Sequence, residues 1–173
     1  MLLFLTNYGL LAMQLYVVRH APAEELAGGA QSDADRELTP KGRKLFREFA
    51  LKLIKPEHAP QLILHSPLVR AVQTAEILRE VIGLNRDKMR VESRLGPGMS
   101  PTHIAGVTEG TKADRIAIVG HNPDVSHCTS QLIGGGSIEF KKGSIACIDF
   151  FDQVTPQLGR LVWFMSPKLL VDV

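Results

Sequence analysis

The chain has 173 residues, of which 45% are hydrophobic and 22% are charged. That length suits one domain, and the composition is typical of a globular protein and excludes a disordered one. Twenty Lys and Arg against eighteen Asp and Glu give a net charge of +2, too small an excess to favour nucleic acid or an anionic membrane as a partner. Two cysteines, Cys128 and Cys147, exclude a disulfide framework or a four-cysteine zinc site and indicate reduced thiols in a cytoplasmic protein.

The first twelve residues read MLLFLTNYGLLA and directly precede Met13. No Lys or Arg stands ahead of this apolar stretch, so it lacks the charged start of a signal peptide. Polar interruptions such as Thr6 and Asn7 argue against a membrane-spanning helix. We therefore expect residues 1–12 to be an extension that contributes little to the fold, and residues 13–173 to form a single domain.

Strand and helix signals alternate along the rest of the chain. Apolar runs indicate the strands, and Thr-Pro, Ser-Pro and Asn-Pro pairs indicate helix starts. In chain order, the predicted elements are a strand at 14–19, a helix from 39–40 to before 56, a strand at 61–65, a helix from 66–67 to about 81, a strand at 89–92, a short helix after 101, a strand at 115–119, a helix from 122–123 to about 133, and strands at 137–140, 144–151 and 160–165.

This alternation predicts an α/β fold with three layers, in which helices cover both faces of a mostly parallel central sheet. The run of strands at the C-terminus predicts an antiparallel edge added to that sheet. In parallel sheets of this kind, ligands bind at the carboxyl ends of the strands, where loops lead into helix N-termini.

Three predicted strand ends carry cationic, imidazole or small polar side chains: Arg19 and His20, Ser66 with Arg70 one helical turn on, and His121 with Asn122. Guanidinium groups bind the oxygens of a phosphoryl group through paired hydrogen bonds, and helix N-termini also favour phosphate. Nearby positive charge disfavours a protonated imidazole, and a neutral imidazole is a nucleophile. Two arginines and two histidines at strand ends thus predict a phosphate pocket that holds one nucleophile and needs no metal or cofactor.

Four stretches of the sequence carry a family resemblance: VVRHA at 17–21, LTPKG at 38–42, SPLVRAVQTA at 66–75 and VGHNP at 119–123. With them the chain resembles the histidine phosphatase superfamily, which has the phosphoglycerate-mutase-like fold. The short chain and the ending LVWFMSP at 161–167 resemble the SixA-type phosphohistidine phosphatases within it. The resemblance extends from about residue 13 to residue 170.

The resemblance implies roles for the strand-end residues. His20 would attack phosphorus and become a phosphohistidine intermediate, which water then hydrolyses. Arg19, Arg70 and His121 would hold the phosphoryl oxygens and stabilise charge in the transition state. The two further candidates for substrate binding are Asn122 and Ser66.

Two departures from the family pattern bear on this function. Ala21 stands where the Arg-His-Gly motif has glycine, a change that leaves room for phosphate provided that φ at Ala21 is negative. Many members also carry an acidic proton donor after the third strand, and here residues 93–99 contain no acid. Protonation of an alkoxide leaving group contributes about 10²–10⁴-fold in rate, whereas a phosphohistidine with a protonated ring leaves as neutral imidazole. The missing acid therefore favours a phosphorus–nitrogen substrate, protein-borne phosphohistidine.

Other interpretations stay open at this point. The chain could be a phosphatase for small phosphomonoesters, with Glu92 or Glu109 as the acid, and His121 is a further possible proton source. It could also be a phosphoprotein-binding module that retains the pocket and turns over slowly. The partner is accordingly a histidine-phosphorylated domain or a small phosphorylated molecule. A charged loop that includes Asp33 and Arg36 lies beside the first strand in sequence and could form part of the pocket rim.

Overall fold

The computed structural model describes residues 13–26 and 32–171, so the expected extension at 1–12 lies outside the described residues. Within these ranges, the strands are β1 (Met13–Arg19), β2 (Leu62–His65), β3 (Met89–Val91), β4 (Arg115–Gly120), β5 (Ile145–Phe150) and β6 (Arg160–Met165). The α-helices in the same part of the chain are α1 (Pro40–Leu53), α2 (Val69–Ile82), α3 (Pro101–Thr108) and α4 (Asp124–Leu132). No helix among these is both long enough and apolar enough to cross a membrane.

The six strands form one sheet in the order β3-β2-β4-β1-β5-β6. The pairs β3–β2, β2–β4 and β4–β1 are parallel, and in the last of these Arg19 lies opposite Gly120. Strand β5 runs antiparallel to β1, and β6 runs antiparallel to β5. The predicted α/β class is confirmed, with a mostly parallel sheet and an antiparallel C-terminal edge.

Strand β1 supplies side chains to both cores of the molecule, because successive side chains point to opposite faces of a sheet. Leu15 and Val17 are fully buried in a core to which α3 and α4 contribute. Tyr16 and Val18 are buried on the other face, in a core to which α1 and α2 contribute. Burial on both faces explains why this strand reads as a continuous apolar run, and it produces the three-layer architecture.

Helix α1 begins where the Thr-Pro pair predicts. The hydroxyl oxygen of Thr39 accepts a hydrogen bond from the backbone N–H of Gly42 at 2.8 Å, and Pro40 is the first helical residue. Gly42 is required by close packing, since a Cβ atom there would lie 2.2 Å from the carbonyl oxygen of Pro22. The LTPKG stretch therefore fixes α1 against the chain that leaves β1.

Two helices begin later than predicted, because the side chains expected to cap them have other partners. Helix α2 begins at Val69, and the Ser66 hydroxyl accepts only a long bond of 3.3 Å from the N–H of Leu68. Helix α4 begins at Asp124 without a side-chain cap. The Asn122 amide instead donates to the carbonyl oxygen of Phe140 at 3.1 Å.

The prediction of a strand at residues 137–140 is wrong. The segment pairs with no strand in the described part of the chain, because side chains take up the hydrogen-bonding groups at its end. The N–H of Phe140 donates to the Ser126 hydroxyl at 3.2 Å, and its carbonyl oxygen accepts from Arg19 Nη1 at 2.6 Å and from Asn122. This segment forms a wall beside the strand ends.

Candidate active site

The carboxyl ends of β1, β2 and β4 meet at one edge of the sheet, since these strands are parallel neighbours. His20 follows β1, and His121 follows the adjacent β4. The two imidazole rings lie with their centroids 5.2 Å apart and their planes at 49°. Arg19 belongs to the last position of β1, and Arg70 reaches the same edge from the first turn of α2.

These side chains line a cleft of about 430 Å³, called here the strand-end cleft. Its lining residues are Arg19, His20, Asp33, Arg36, Arg70, Pro97, Gly98, His121, Asn122, Pro123, Asp124 and Lys142. Four cationic side chains outnumber two carboxylates in this lining, so the cleft suits an anion. Five of the six candidate site residues line the cleft, and the sixth, Ser66, is fully buried behind His121, which it contacts.

His20 has the protonation state that a nucleophile needs. Its Nδ1 lies 2.8 Å from the carbonyl oxygen of Ala21, and a carbonyl can only accept, so Nδ1 carries the proton and Nε2 holds the lone pair. The pKa of His20 is lowered to about 3, first by burial and further by nearby positive groups that include Arg70 and Arg19. The ring is therefore neutral at pH 7, with a lone pair on Nε2.

The backbone at Ala21 is compatible with this arrangement. Gln157 is the only described residue other than glycine with a positive φ, so Ala21 adopts the negative φ that the substitution of glycine requires. The N–H of Ala21 donates to the Thr74 hydroxyl oxygen at 3.0 Å, and that hydroxyl donates to the Arg70 carbonyl oxygen at 2.7 Å. Thr74 thus ties the segment that carries His20 to the first turn of α2, a role that the sequence reasoning did not assign to it.

Ser66 supports His121 from behind. The Ser66 oxygen lies 2.8 Å from His121 Nε2, and within the described residues its other contact is the N–H of Leu68, which can only donate. Among the described residues the buried hydroxyl hydrogen has no acceptor other than Nε2, so we infer that it is directed there, which places the ring proton of His121 on Nδ1. Within residues 13–26 and 32–171, that Nδ1 is buried without a hydrogen-bond partner. The pKa of His121 is lowered to about 4, first by burial and then by Arg70, so the ring is a neutral N–H donor at pH 7.

The guanidinium groups of Arg19 and Arg70 are each fixed by hydrogen bonds to neighbouring residues. Arg19 Nη1 donates to the Phe140 carbonyl oxygen at 2.6 Å. Arg70 donates to Asp33 twice, from Nη2 to the carboxylate at 2.9 Å and from Nη1 to the backbone carbonyl at 2.5 Å. In the described part of the chain, the Nε atoms of both arginines are buried without partners. Fixed guanidinium groups with unused N–H donors are suited to bind an oxyanion.

Asp33 and Arg36 form part of the cleft, as the charge of their loop suggested. Arg36 Nη1 lies 2.7 Å from the Asp33 carboxylate, which therefore lies between two guanidinium groups. The hydrogen bond from Arg70 is the largest cause that holds the pKa of Asp33 below its usual range. The pairing of Asp33 with Arg70 joins residues 37 positions apart, and no local sequence signal predicts it.

The two glutamates considered as proton donors do not line the strand-end cleft. Glu92 accepts two hydrogen bonds from the Arg94 guanidinium, each 3.0 Å long. Glu109 follows α3 and lines a different depression. The carboxylate that sequence reasoning missed is Asp124, the first residue of α4, which lines the cleft three positions after His121. Its position in the Gly-His-Asn-Pro-Asp stretch was the available signal.

Comparisons with known proteins agree with this architecture. Residues 15–96, which include Arg19, His20 and Arg70, match the family model for branch 1 of the histidine phosphatase superfamily. An uncharacterised protein of Picosynechococcus sp. is 31% identical over 149 residues, a match that spans 77% of this chain and 82% of that protein.

Solved structures share the fold over most of the chain. A structure of the protein histidine phosphatase SixA with tungstate gives a TM-score of 0.78 at 26% identity and covers 92% of this chain and 100% of that one. An Agrobacterium tumefaciens protein described as a candidate SixA phosphohistidine phosphatase gives 0.74 at 24% identity, over 90% and 99% of the two chains. A mycobacterial glucosyl-3-phosphoglycerate phosphatase gives 0.61 at 20% identity, over 87% and 97%.

The chain belongs to the histidine phosphatase superfamily. It is a phosphatase, and within the superfamily it is of the SixA type. Three of the four sequence stretches that carry the resemblance supply the two histidines, the two arginines and Ser66, and the fourth supplies the Thr39 cap that starts α1.

Proposed function

We propose that this chain is a metal-independent phosphatase that hydrolyses protein-borne phosphohistidine through a covalent intermediate on His20. The observation that carries the proposal is the neutral His20 ring in a cleft that the side chains of Arg19, Arg70 and His121 also line. The arginines supply positive charge for the phosphoryl oxygens without a bound cation.

In the first step, His20 Nε2 forms a bond to phosphorus and the phosphorus–nitrogen bond of the substrate breaks. The electron pair of that bond stays on the leaving nitrogen, and the proton on the other ring nitrogen makes the departing imidazole neutral. Arg19, Arg70 and His121 Nδ1–H hold the phosphoryl oxygens as negative charge shifts onto them. Asn122 lines the wall, where its amide braces the Phe140 carbonyl that also holds Arg19.

In the second step, water attacks the phosphoryl group on His20 and the bond between phosphorus and Nε2 breaks. The hydrogen bond to the Ala21 carbonyl keeps a proton on Nδ1, so His20 also departs as a neutral imidazole. Both leaving groups are then imidazoles, and neither needs a proton from an enzymic acid at the moment of departure.

Two lines of reasoning favour phosphohistidine over small phosphomonoesters. Residues 93–99, where many family members carry the acid that protonates an alkoxide, contain no carboxyl, and neither Glu92 nor Glu109 lines the cleft. The two carboxylates that do line it are Asp33, which is engaged by Arg70 and Arg36, and Asp124, which lies at the start of α4 rather than at the family's acid position. The 26% identical structure is of a protein histidine phosphatase, which supports the same substrate class. We also propose a cytoplasmic location, where the buried free thiols of Cys128 and Cys147 stay reduced.

The proposal is tested by comparing kcat/KM on a histidine-phosphorylated peptide with kcat/KM on sugar phosphates, for the full chain and for His20→Ala. We expect the phosphopeptide to be preferred and His20→Ala to abolish turnover on it. A higher kcat/KM on sugar phosphates would identify a small-phosphomonoester phosphatase instead. If the phosphopeptide binds but neither phosphate release nor a ³²P-labelled His20 adduct is detected, the chain is a phosphoprotein-binding module instead.

A further inference from the structure

Asp124 is a carboxylate in the strand-end cleft that the function described above does not use. The cleft holds two carboxylates, and Asp33 is engaged by the guanidinium groups of Arg70 and Arg36. Asp124 makes no ion pair with any Lys, Arg or His side chain in the part of the chain that the structure describes. Its carboxylate can therefore interact with a substrate or a water molecule in the cleft.

The carboxylate of Asp124 is held in a fixed position. It is the first residue of α4, and its Oδ2 accepts a hydrogen bond from the backbone N–H of Gly98 at 2.8 Å. Within residues 13–26 and 32–171, that bond is its only side-chain hydrogen bond, which leaves Oδ1 free to accept another. Asp124 lies close enough to His121 for its charge to favour protonation of that ring, against the larger effects of burial and Arg70.

We propose that Asp124 is the general base for hydrolysis of the phosphoryl group on His20, an inference that rests on the proposed function. Asp124 Oδ1 orients a water molecule and accepts one of its protons as the water oxygen bonds to phosphorus. The bond between phosphorus and His20 Nε2 breaks, and its electron pair returns to Nε2. The products are hydrogen phosphate and a neutral His20, and Asp124 then releases its proton to solvent.

Hydrolysis of the phosphoryl group on His20 needs a general base, although neither the formation nor the hydrolysis of this intermediate needs a general acid. An imidazole leaves without an acid in both steps, but water becomes an effective nucleophile only as it loses a proton. An ionised carboxylate can accept that proton. Both carboxylate oxygens of Asp33 are already engaged by guanidinium groups, one by Arg70 and one by Arg36, so Asp33 is not free to take this role.

The test is a single-turnover experiment on Asp124→Asn, with a ³²P-labelled phosphohistidine peptide as the probe. Asparagine keeps an oxygen for the Gly98 N–H but cannot take a proton from water. We expect label to accumulate on His20 and its release to slow by about 10²-fold, in the range for loss of a general base. Asp87→Asn is the matched control, since Asp87 is exposed, does not line the cleft and, in the described part of the chain, forms an ion pair only with Lys88.

The possible outcomes are distinguishable. If the full chain never labels His20, the proposed function itself fails. If the full chain labels His20 and Asp124→Asn releases phosphate as fast as Asp87→Asn does, the role of Asp124 as a base is wrong. Asp124→Ala also loses the hydrogen bond to Gly98 and so tests for a merely structural role. The proposal is wrong if Asp124→Ala has a lower Tm and releases phosphate more slowly while Asp124→Asn releases phosphate at the normal rate.

Discussion

The Ser66 hydroxyl oxygen lies 2.8 Å from Nε2 of His121, so the fully buried Ser66 contacts the ring of a residue that lines the strand-end cleft. The hydroxyl hydrogen has this nitrogen as its acceptor, so the contact selects one of the two neutral tautomers of His121. The selected tautomer presents Nδ1–H, which is buried and, in the described part of the chain, has no partner. Under the proposed function, Ser66 is therefore expected to position His121 rather than to contact the substrate itself.

Ser66→Ala should lower kcat/KM on a phosphohistidine peptide by about 10- to 100-fold. A buried polar group that loses its partner costs about 1–3 kcal/mol, and here the cost falls on the orientation of an oxyanion donor. Ser66→Thr, which keeps a hydroxyl, should recover a large part of the loss. The nitrogen-15 NMR shifts of His121 provide the readout of the tautomer: unchanged shifts in Ser66→Ala would contradict the assigned role.

The ion pair between Asp33 and Arg70 predicts how the cleft responds to removal of a negative charge. Asp33→Asn should tighten competitive inhibition by inorganic phosphate by about 3- to 10-fold at low salt. The reason is that a carboxylate beside Arg70 repels a phosphate anion and competes for the same guanidinium, an effect on the order of 1 kcal/mol at this range. The inhibition constant for phosphate at two salt concentrations measures it.

Asp35→Asn is the control for that experiment, since Asp35 lies two residues away, is exposed and accepts a hydrogen bond from Ser32 outside the cleft lining. Its inhibition constant should match that of the unaltered chain. Weaker phosphate inhibition in Asp33→Asn would instead show that the carboxylate chiefly holds Arg70 in its binding position.

Local signals predicted the elements that local contacts determine. Thr39-Pro40 gave the start of α1, because the cap and the fixed φ of proline act within one turn of helix. The strand at 137–140 was predicted wrongly because the backbone of Phe140 is taken by side chains from β1 and from the loop before α4. Such contacts join residues that are far apart in the sequence, so local sequence patterns do not predict them.

The candidate site was predictable where the rule of parallel strand ends applies. Arg19, His20 and His121 are placed by the register of β1 and β4, and that register follows from the fold class. Asp33 depends on the path of a loop, which periodicity does not describe. Asp124 was not predicted because the family pattern has its acid after the third strand, whereas this carboxylate lines the cleft from the N-terminus of α4.

Gly42→Ala should destabilise the fold by about 1–3 kcal/mol, the range for overpacking a tight site. The added Cβ would lie 2.2 Å from the carbonyl oxygen and 2.9 Å from Cβ of Pro22, so α1 must move away from the chain after β1. Thermal unfolding measures the effect. Gly106→Ala in α3 is the control. Among the described residues its new Cβ would meet only the end of the flexible Arg94 side chain, at 3.3 Å, and we expect an equal or higher Tm because alanine favours helix.

The buried histidines predict a loss of stability in mild acid. The pKa values of His20 and His121 in the folded chain are about 3 and about 4, below the ordinary value of 6.5. As the pH falls through 6.5, the two histidines bind protons in the unfolded chain but not in the folded one. The free energy of unfolding is therefore largest above pH 6.5 and decreases below it. The decrease approaches about 1.4 kcal/mol per pH unit for each ring until its folded pKa is reached. Urea unfolding at pH 7.5 and at pH 4.5 measures this loss of free energy of unfolding between the two pH values. The loss should be smaller for His20→Asn than for the unaltered chain. Equal losses would mean that the folded His20 ring takes up a proton in the same pH range as the unfolded one.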